Sequence, residues 1–147
     1  MRQFHLYLGA DHAGFALKEK LKSALLKRGC TLIDLSPTFQ VNDDYPLHAQ
    51  RVAQAVAKNA KTRGVLICGS GIGVSIAANR NKGIRAFDAH DVKEVVLARE
   101  HNDANVIALS GWRMTEKQAL ALIEAFLQTP FSKAARHRRR VKQLHLI

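Results

Sequence analysis

The sequence predicts an α/β fold built on a parallel sheet, and three observations predict it. Short apolar runs alternate with helical patterns of roughly 10 to 15 residues, the pattern of βαβ units. The chain has 147 residues, of which 47% are hydrophobic. That suits one domain over residues 1–147 with a core of its own. Polar and glycine-rich stretches fall where strands hand over to helices, the positions at which open α/β sheets bind ligands.

Phe4 to Gly9 reads as the first strand. Asp11-His12-Ala13-Gly14 leads into a helix near Phe15 to Arg28, where Leu17, Leu21, Ala24 and Leu25 recur at helical spacing and Gly29 marks the stop. Thr31 to Leu35 is a short second strand and Ser36 to Asp44 a polar loop. Pro46 suits the first turn of a second helix, whose buried stripe is Ala49, Val52, Ala53 and Val56. Val65 to Cys68 is the third strand, followed by a helix from Ile72. Ile84 to Phe87 is the fourth, with a helix near Val92 to Arg99, and Val106 to Leu109 the fifth, with a helix near Glu116 to Gln128. Pro130 separates that helix from a basic one beginning near Ser132. Five strands with helices between them make a doubly wound α/β layer structure. The last helix has few apolar positions with which to hold the core, so it is expected to pack on another subunit and carry its arginines to that subunit's site.

Charge and cysteine usage narrow the function. No run approaches the roughly 18 apolar residues of a membrane span, and Met1-Arg2-Gln3-Phe4-His5 lacks the apolar stretch of a signal peptide, so a soluble, cytoplasmic protein without membrane contact is expected. Cys30 and Cys68 lie in different elements without CxxC spacing, which argues against a disulfide framework or a zinc site. The net charge is +11, and much of it sits between Lys133 and Lys142, with Arg136, His137, Arg138, Arg139 and Arg140 in succession. Such a cluster can neutralise nucleic-acid phosphates. No zinc-finger, RRM or homeodomain pattern accompanies it, and a small phosphorylated substrate is served equally well by the planar donor fork of arginine. Nucleic acid is therefore not expected as a partner.

The sharpest signal is a strand that runs into a glycine turn with a cysteine at the seam: Val65 to Ile67, then Cys68, Gly69, Ser70, Gly71, Ile72 and Gly73. The thiol stands at a strand's carboxyl end, and the glycines leave backbone N–H groups free to approach an oxyanion at a helix amino terminus. Val74 occupies the place where a dinucleotide fingerprint needs its third glycine, and no P-loop pattern occurs. Donors fixed beside a base stabilise developing negative charge, and a thiol at a helix amino terminus ionises more readily than a free one. The plainer reading of the loop alone is a structural cysteine beside a tight turn. Asp11 and His12 after the first strand, Asp44 and Tyr45 before the second helix, and His101, Asn102 and Asp103 before the fifth strand add acids and imidazoles at loop ends. Separately, Asp11 and Asp44 could cap helices and His101-Asn102-Asp103 could be a turn. Together they make the set a small-molecule active site requires.

Five ordered blocks carry a likeness that spans nearly the whole chain: Gly9-Ala10-Asp11-His12-Ala13-Gly14; Asp44-Tyr45-Pro46; Cys68 to Gly73 with Ser75-Ile76-Ala77-Ala78-Asn79; His101-Asn102-Asp103 with Asn105-Val106; and Arg136-His137 with Arg139-Arg140-Val141. In these blocks the sequence resembles the ribose-5-phosphate isomerase B family, which includes galactose-6-phosphate and allose-6-phosphate isomerases. The resemblance implies a Rossmann-like three-layer α/β/α sandwich with a five-stranded parallel sheet. It also implies a homodimer or homotetramer with active sites shared between subunits, no metal or organic cofactor, and the aldose-ketose isomerisation of ribose 5-phosphate in the pentose phosphate pathway.

By position, the resemblance makes Cys68 the base that moves a proton between C1 and C2, and gives Gly69, Gly71, Ile72 and Gly73 the amides that hold the enediolate. Ser70 would assist proton exchange between the sugar oxygens, Asp11 and His12 would contact the sugar, and His101 would open the furanose ring with Asn102 beside it. Arg136 and Arg140 would clamp the phosphate, with Arg113 as a further cation. Lys133-Ala134-Ala135 stands where the family often has a glycine pair, and Ser110-Gly111-Trp112-Arg113 is one residue longer than its usual spacing. Two alternatives remain at this stage: the same reaction on allose 6-phosphate or another hexose 6-phosphate, and a non-catalytic phosphosugar- or nucleic-acid-binding module.

Overall fold

A computed structural model describes residues 5–147. Strands form where β-branched and leucine residues cluster: β1 (His5–Ala10), β2 (Thr31–Asp34), β3 (Thr62–Cys68), β4 (Ala86–Asp88) and β5 (Val106–Ser110). Between and after them run α1 (Phe15–Lys27), α2 (Tyr45–Ala57), α3 (Ile72–Asn79), α4 (Val92–Asn102), α5 (Glu116–Gln128) and α6 (Ala135–Leu144). The strands pair in the order β2-β1-β3-β5-β4, all parallel. β3 is central and buried along its whole length, which is why it reads as an unbroken apolar run and not as an alternation. Its Val65 and Ile67 face a cluster containing Leu17 and Leu21 of α1, Val95 of α4 and Ile123 and Phe126 of α5. Leu66 and Cys68 face the other way, onto Ala49, Val52 and Ala53 of α2 and Val74 and Ala78 of α3. The result is the expected three-layer α/β/α sandwich. No helix among the described residues is long and apolar enough to cross a membrane.

Several boundaries differ from the sequence reading, each for a local reason. β1 extends to Ala10, while Phe4 lies outside the described residues. β2 ends at Asp34, one residue short of the expected Leu35. β3 starts at Thr62 because its ladder with β1 continues to the pair His5 and Thr62. β4 begins at Ala86 and not at Ile84, whose N–H closes a turn onto the Asn81 carbonyl. The Asn79 side chain then holds both backbone groups of Ala86, at 2.8 Å each. α4 continues past Arg99, so His101 and Asn102 form its last turn and only Asp103, left-handed at φ 47°, terminates it. α6 starts at Ala135, three residues after Ser132, whose hydroxyl instead meets the His137 ring.

Lys18 is the one residue of the α1 stripe that sequence patterning did not pick, and it is fully buried. Its Nζ donates to Asp34 Oδ2 at 2.6 Å, Glu19 Oε1 at 2.6 Å and the Ser36 carbonyl at 2.8 Å, so all three ammonium protons are used. Burial pushes the Asp34 carboxyl up, but hydrogen bonds from Lys18 and Lys22 outweigh it and leave the group below its ordinary value. A lowered carboxylate contributes stability that is complete above its unfolded pKa, about 3.9, and is lost as pH falls through the folded value. Asp34→Ala leaves the buried ammonium short of a counter-charge and is expected to cost about 3 kcal/mol in urea unfolding, whereas the double variant Lys18→Met/Asp34→Leu, which removes both charges of the pair, should cost less than Asp34→Ala alone.

Candidate active site

In an all-parallel sheet every strand ends at the same edge, and here that edge gathers Asp11 and His12 after β1, Cys68 at the end of β3, Asp88 at the end of β4 and Ser110 at the end of β5. The turn from β3 into α3 requires its glycines. Gly71 is left-handed at φ 86°, and a Cβ there would lie 2.4 Å from Asp88 Oδ1. The indole of Trp112 covers Gly69 and the ring of Tyr45 covers Gly73, leaving no room for a side chain at either position. Trp112, itself 76% exposed, thus roofs the loop. The Ser110 hydroxyl donates to the Gly69 carbonyl at 2.7 Å, and Gly111 N–H donates to the Cys68 carbonyl at 2.8 Å, so β5 pins the loop from behind.

Both cysteines are free thiols. Cys68 keeps 4% of its surface exposed, and its sulfur accepts the Gly71 N–H at 3.2 Å. Ile72 N–H is directed to Ser70 Oγ at 3.2 Å, while the Ser70 and Gly73 amides carry no hydrogen bond among the described residues. A sulfur, a hydroxyl and donor amides therefore stand together within one short turn. Arg113 Nη2 donates to the Ser70 carbonyl at 2.9 Å, which places this guanidinium on the same loop despite the longer spacing before it. Asp88 Oδ1 is buried without a hydrogen-bond partner among the described residues, and its other oxygen meets His90 Nε2 at 3.1 Å. Burial raises the Asp88 carboxyl, opposed by His90 and Arg113.

Asp11 is buried, and its Oδ1 accepts the N–H groups of Ala13 and Gly14 at 3.0 Å each, which fixes the entry to α1. His12 is held by Asp43, whose Oδ1 accepts from the His12 backbone N–H at 2.7 Å and lies 3.0 Å from ring Nδ1. Asp44 stands at the N-cap of α2, where no side-chain bond forms. The sequence reading missed Asp43, Ser36 and His48. Two of them sit in a stretch that reads only as polar loop, and the one available signal was His48 next to Ala49 on the apolar stripe of α2.

His101, Asn102, Arg136 and Arg140 are elsewhere, and this corrects the expectation that the acids and imidazoles gather at one set of loop ends. α4 leaves the carboxyl end of β4 and runs back to the start of β5, so its last turn lies at the sheet's amino edge, a helix length of roughly 15 Å away from the edge that carries Cys68. α6 packs beside it, the His137 ring 4.2 Å from that of His101. Burial, His101, Arg136 and Arg140 all lower the His137 pKa, the mark of a cationic cluster, and the ring stays 2.7 Å from the Ser132 hydroxyl. His137 is a second omission of the sequence reading, which gave it no role. One chain thus presents two separate groups: a thiol with donor amides at one edge, and cations with an imidazole at the other.

The fold and the thiol edge define a class, the doubly wound α/β proteins that carry their chemistry at the carboxyl ends of the strands. A family model described as Ribose/Galactose Isomerase matches residues 6–144. The ribose-5-phosphate isomerase B of Mycobacterium tuberculosis is 40% identical over 142 residues, 96% of this chain and 88% of that protein. That of Escherichia coli is 38% identical over 139 residues, covering 95% and 93%. Among solved structures, a ribose 5-phosphate isomerase from Thermotoga maritima matches with a TM-score of 0.93 at 38% identity, over 98% of this chain and 99% of that one. Ribose-5-phosphate isomerase B from Mycoplasma genitalium, with bound ribulose-5-phosphate, matches with a TM-score of 0.91 at 38% identity, over 97% and 95%. The chain belongs to the Ribose/Galactose Isomerase family.

Proposed function

We propose that this protein interconverts ribose 5-phosphate and ribulose 5-phosphate, with Cys68 as the base. The observation that carries the reading is the sulfur at the end of β3, 3.2 Å from the Gly71 N–H, in a turn whose Ser70 and Gly73 amides have no partner among the described residues. The ionised sulfur removes the C2 proton of the open-chain aldose, the C1–C2 double bond forms, and the carbonyl electrons move to O1 as an enediolate. The amides of the loop from Gly69 to Gly73 hold that negative charge, those of Gly71 and Ile72 turning to it from Cys68 Sγ and Ser70 Oγ; losing one such donor typically costs about 3 to 4 kcal/mol of barrier. Ser70 passes the O2 proton to O1, O2 becomes the carbonyl, and the thiol returns its proton to C1. Asp11 and His12 hold the sugar hydroxyls.

The cations at the amino edge complete a site when a second copy supplies them. His101 of the partner subunit opens the furanose ring, with Asn102 beside it, and the partner subunit's Arg136 and Arg140 clamp the phosphate, joined by Arg113 of the first chain. Leu47 of α2 and Ile72 and Ile76 of α3 support this arrangement, since they are half or more exposed on a face bordering the glycine loop. The phosphate does not react, so its binding serves to align C1 and C2 with the sulfur. A free thiol as the working group fits a reducing, cytoplasmic compartment. A coupled assay without added metal, run on ribose 5-phosphate beside allose 6-phosphate, is expected to give the higher kcat/KM on the pentose; a strong hexose preference or no turnover on either would overturn the reading.

A further inference from the structure

We propose that Asp43 is a positioning residue for the isomerisation, a carboxylate that fixes the His12 ring beside the sugar and is itself anchored through His48 and Ser36 to the end of β1. The proposal rests on the isomerase reading given above. Asp43 Oδ1 takes both the backbone N–H and ring Nδ1 of His12, and Oδ2 lies 2.6 Å from His48 Nε2. His48 Nδ1 is 2.6 Å from Ser36 Oγ, and Ser36 Oγ accepts the N–H of Ala10, the last residue of β1, at 3.2 Å. His12 is 40% exposed at its side chain, whereas Asp43 and His48 are 9% and 7% exposed. A carboxylate covered to this degree and shared by two imidazoles is costly unless every lone pair and proton is matched.

The carboxylate fixes two of the ring protons. An ionised carboxylate only accepts, so His12 Nδ1 and His48 Nε2 both carry hydrogen. His48 Nδ1 then meets the Ser36 hydroxyl, whose oxygen receives the Ala10 N–H. His12 is left with Nε2, which has no partner among the described residues, as the ring nitrogen available to substrate. The hydrogen bond to Asp43 raises the His12 pKa, opposed by burial and helped by the nearby Asp11 charge. Burial pushes Asp43 up, but the bonds from His12 and His48 outweigh it and hold the carboxyl below its ordinary range. The groups facing the His12 ring are thus Asp11 from its own loop and Asp43 from the β2–α2 loop, with His48 of α2 behind the latter. The two carboxylates favour an imidazolium whose Nε2–H is a donor for a phosphorylated sugar.

Asp43→Asn separates charge from shape. Its amide oxygen still accepts from His12 and its NH2 donates to His48 Nε2, with the His48 proton moving to Nδ1 and onto Ser36. A ¹⁵N-edited NMR titration of the full chain is expected to place the His12 midpoint lower in Asp43→Asn than in the parent, with neutral His12 protonated on Nδ1 in both. With ribose 5-phosphate, KM should rise about tenfold at pH 8, equivalent to about 1.4 kcal/mol, and less than about twofold at pH 5.5, where both rings are charged; kcat should stay within about threefold. An unmoved midpoint, or a KM defect equal at both pH values, overturns the proposal. So does neutral His12 carrying its proton on Nε2 in the parent alone, a measurement that needs no variant. Absence of turnover in the parent would instead contradict the isomerase reading, and the titration would still decide the role of Asp43.

Discussion

Cys68→Ala is expected to lower kcat on ribose 5-phosphate by about 10³-fold while KM changes less than about threefold. A positioned base contributes roughly 10² to 10⁴ in rate. At this edge the neighbouring carboxylates each hold partners of their own: Asp11 the Ala13 and Gly14 amides, Asp43 two imidazoles, and Asp88 the His90 ring through one oxygen. In the proposed mechanism KM is held by the arginines, which remain. The fold should survive, because the loop is fixed by bonds that do not involve the sulfur, from Ser110 to the Gly69 carbonyl and from Gly111 to the Cys68 carbonyl. Turnover near the parental rate in Cys68→Ala would remove Cys68 from the chemistry. A matching loss of substrate affinity would point to collapse of the turn.

The architecture was legible because its causes are local. Val65, Leu66 and Ile67 have both faces covered, so the strand shows as an apolar run, and the α5 boundaries follow from the Thr115–Gln118 capping box and the apolar stripe it precedes. The thiol loop was legible for the same reason, since Gly71 stands where only a glycine tolerates the left-handed turn against Asp88. What sequence hid was direction and distance. His101 precedes a strand and Cys68 ends one, and in a parallel sheet those positions lie at opposite edges, which residue type alone does not reveal. Asp43, His48 and Ser36 stayed hidden because their bonds join residues that are polar singly and meaningful only as a chain. Lys18 fell outside the stripe because patterning picks apolar residues, and only the distant Asp34 and the Ser36 carbonyl explain its burial.

The separation of the sulfur from the C-terminal arginines has a second large consequence. If the sulfur of one subunit works with the arginines of another, two inactive variants can repair each other. Cys68→Ala lacks the base, and Arg136→Ala/Arg140→Ala lacks the phosphate clamp. In a two-fold dimer assembled from both, one site inherits both defects and the other neither. Random pairing makes about half of the dimers mixed, each with one intact site of two, so about a quarter of the parental activity should return. Co-expressing the two variants under different affinity tags, isolating doubly tagged protein and assaying ribose 5-phosphate turnover makes the measurement. Recovery to about half the parental rate in the purified mixed dimer is the result expected here; mixed dimers as inactive as either variant alone would contradict a site shared between subunits.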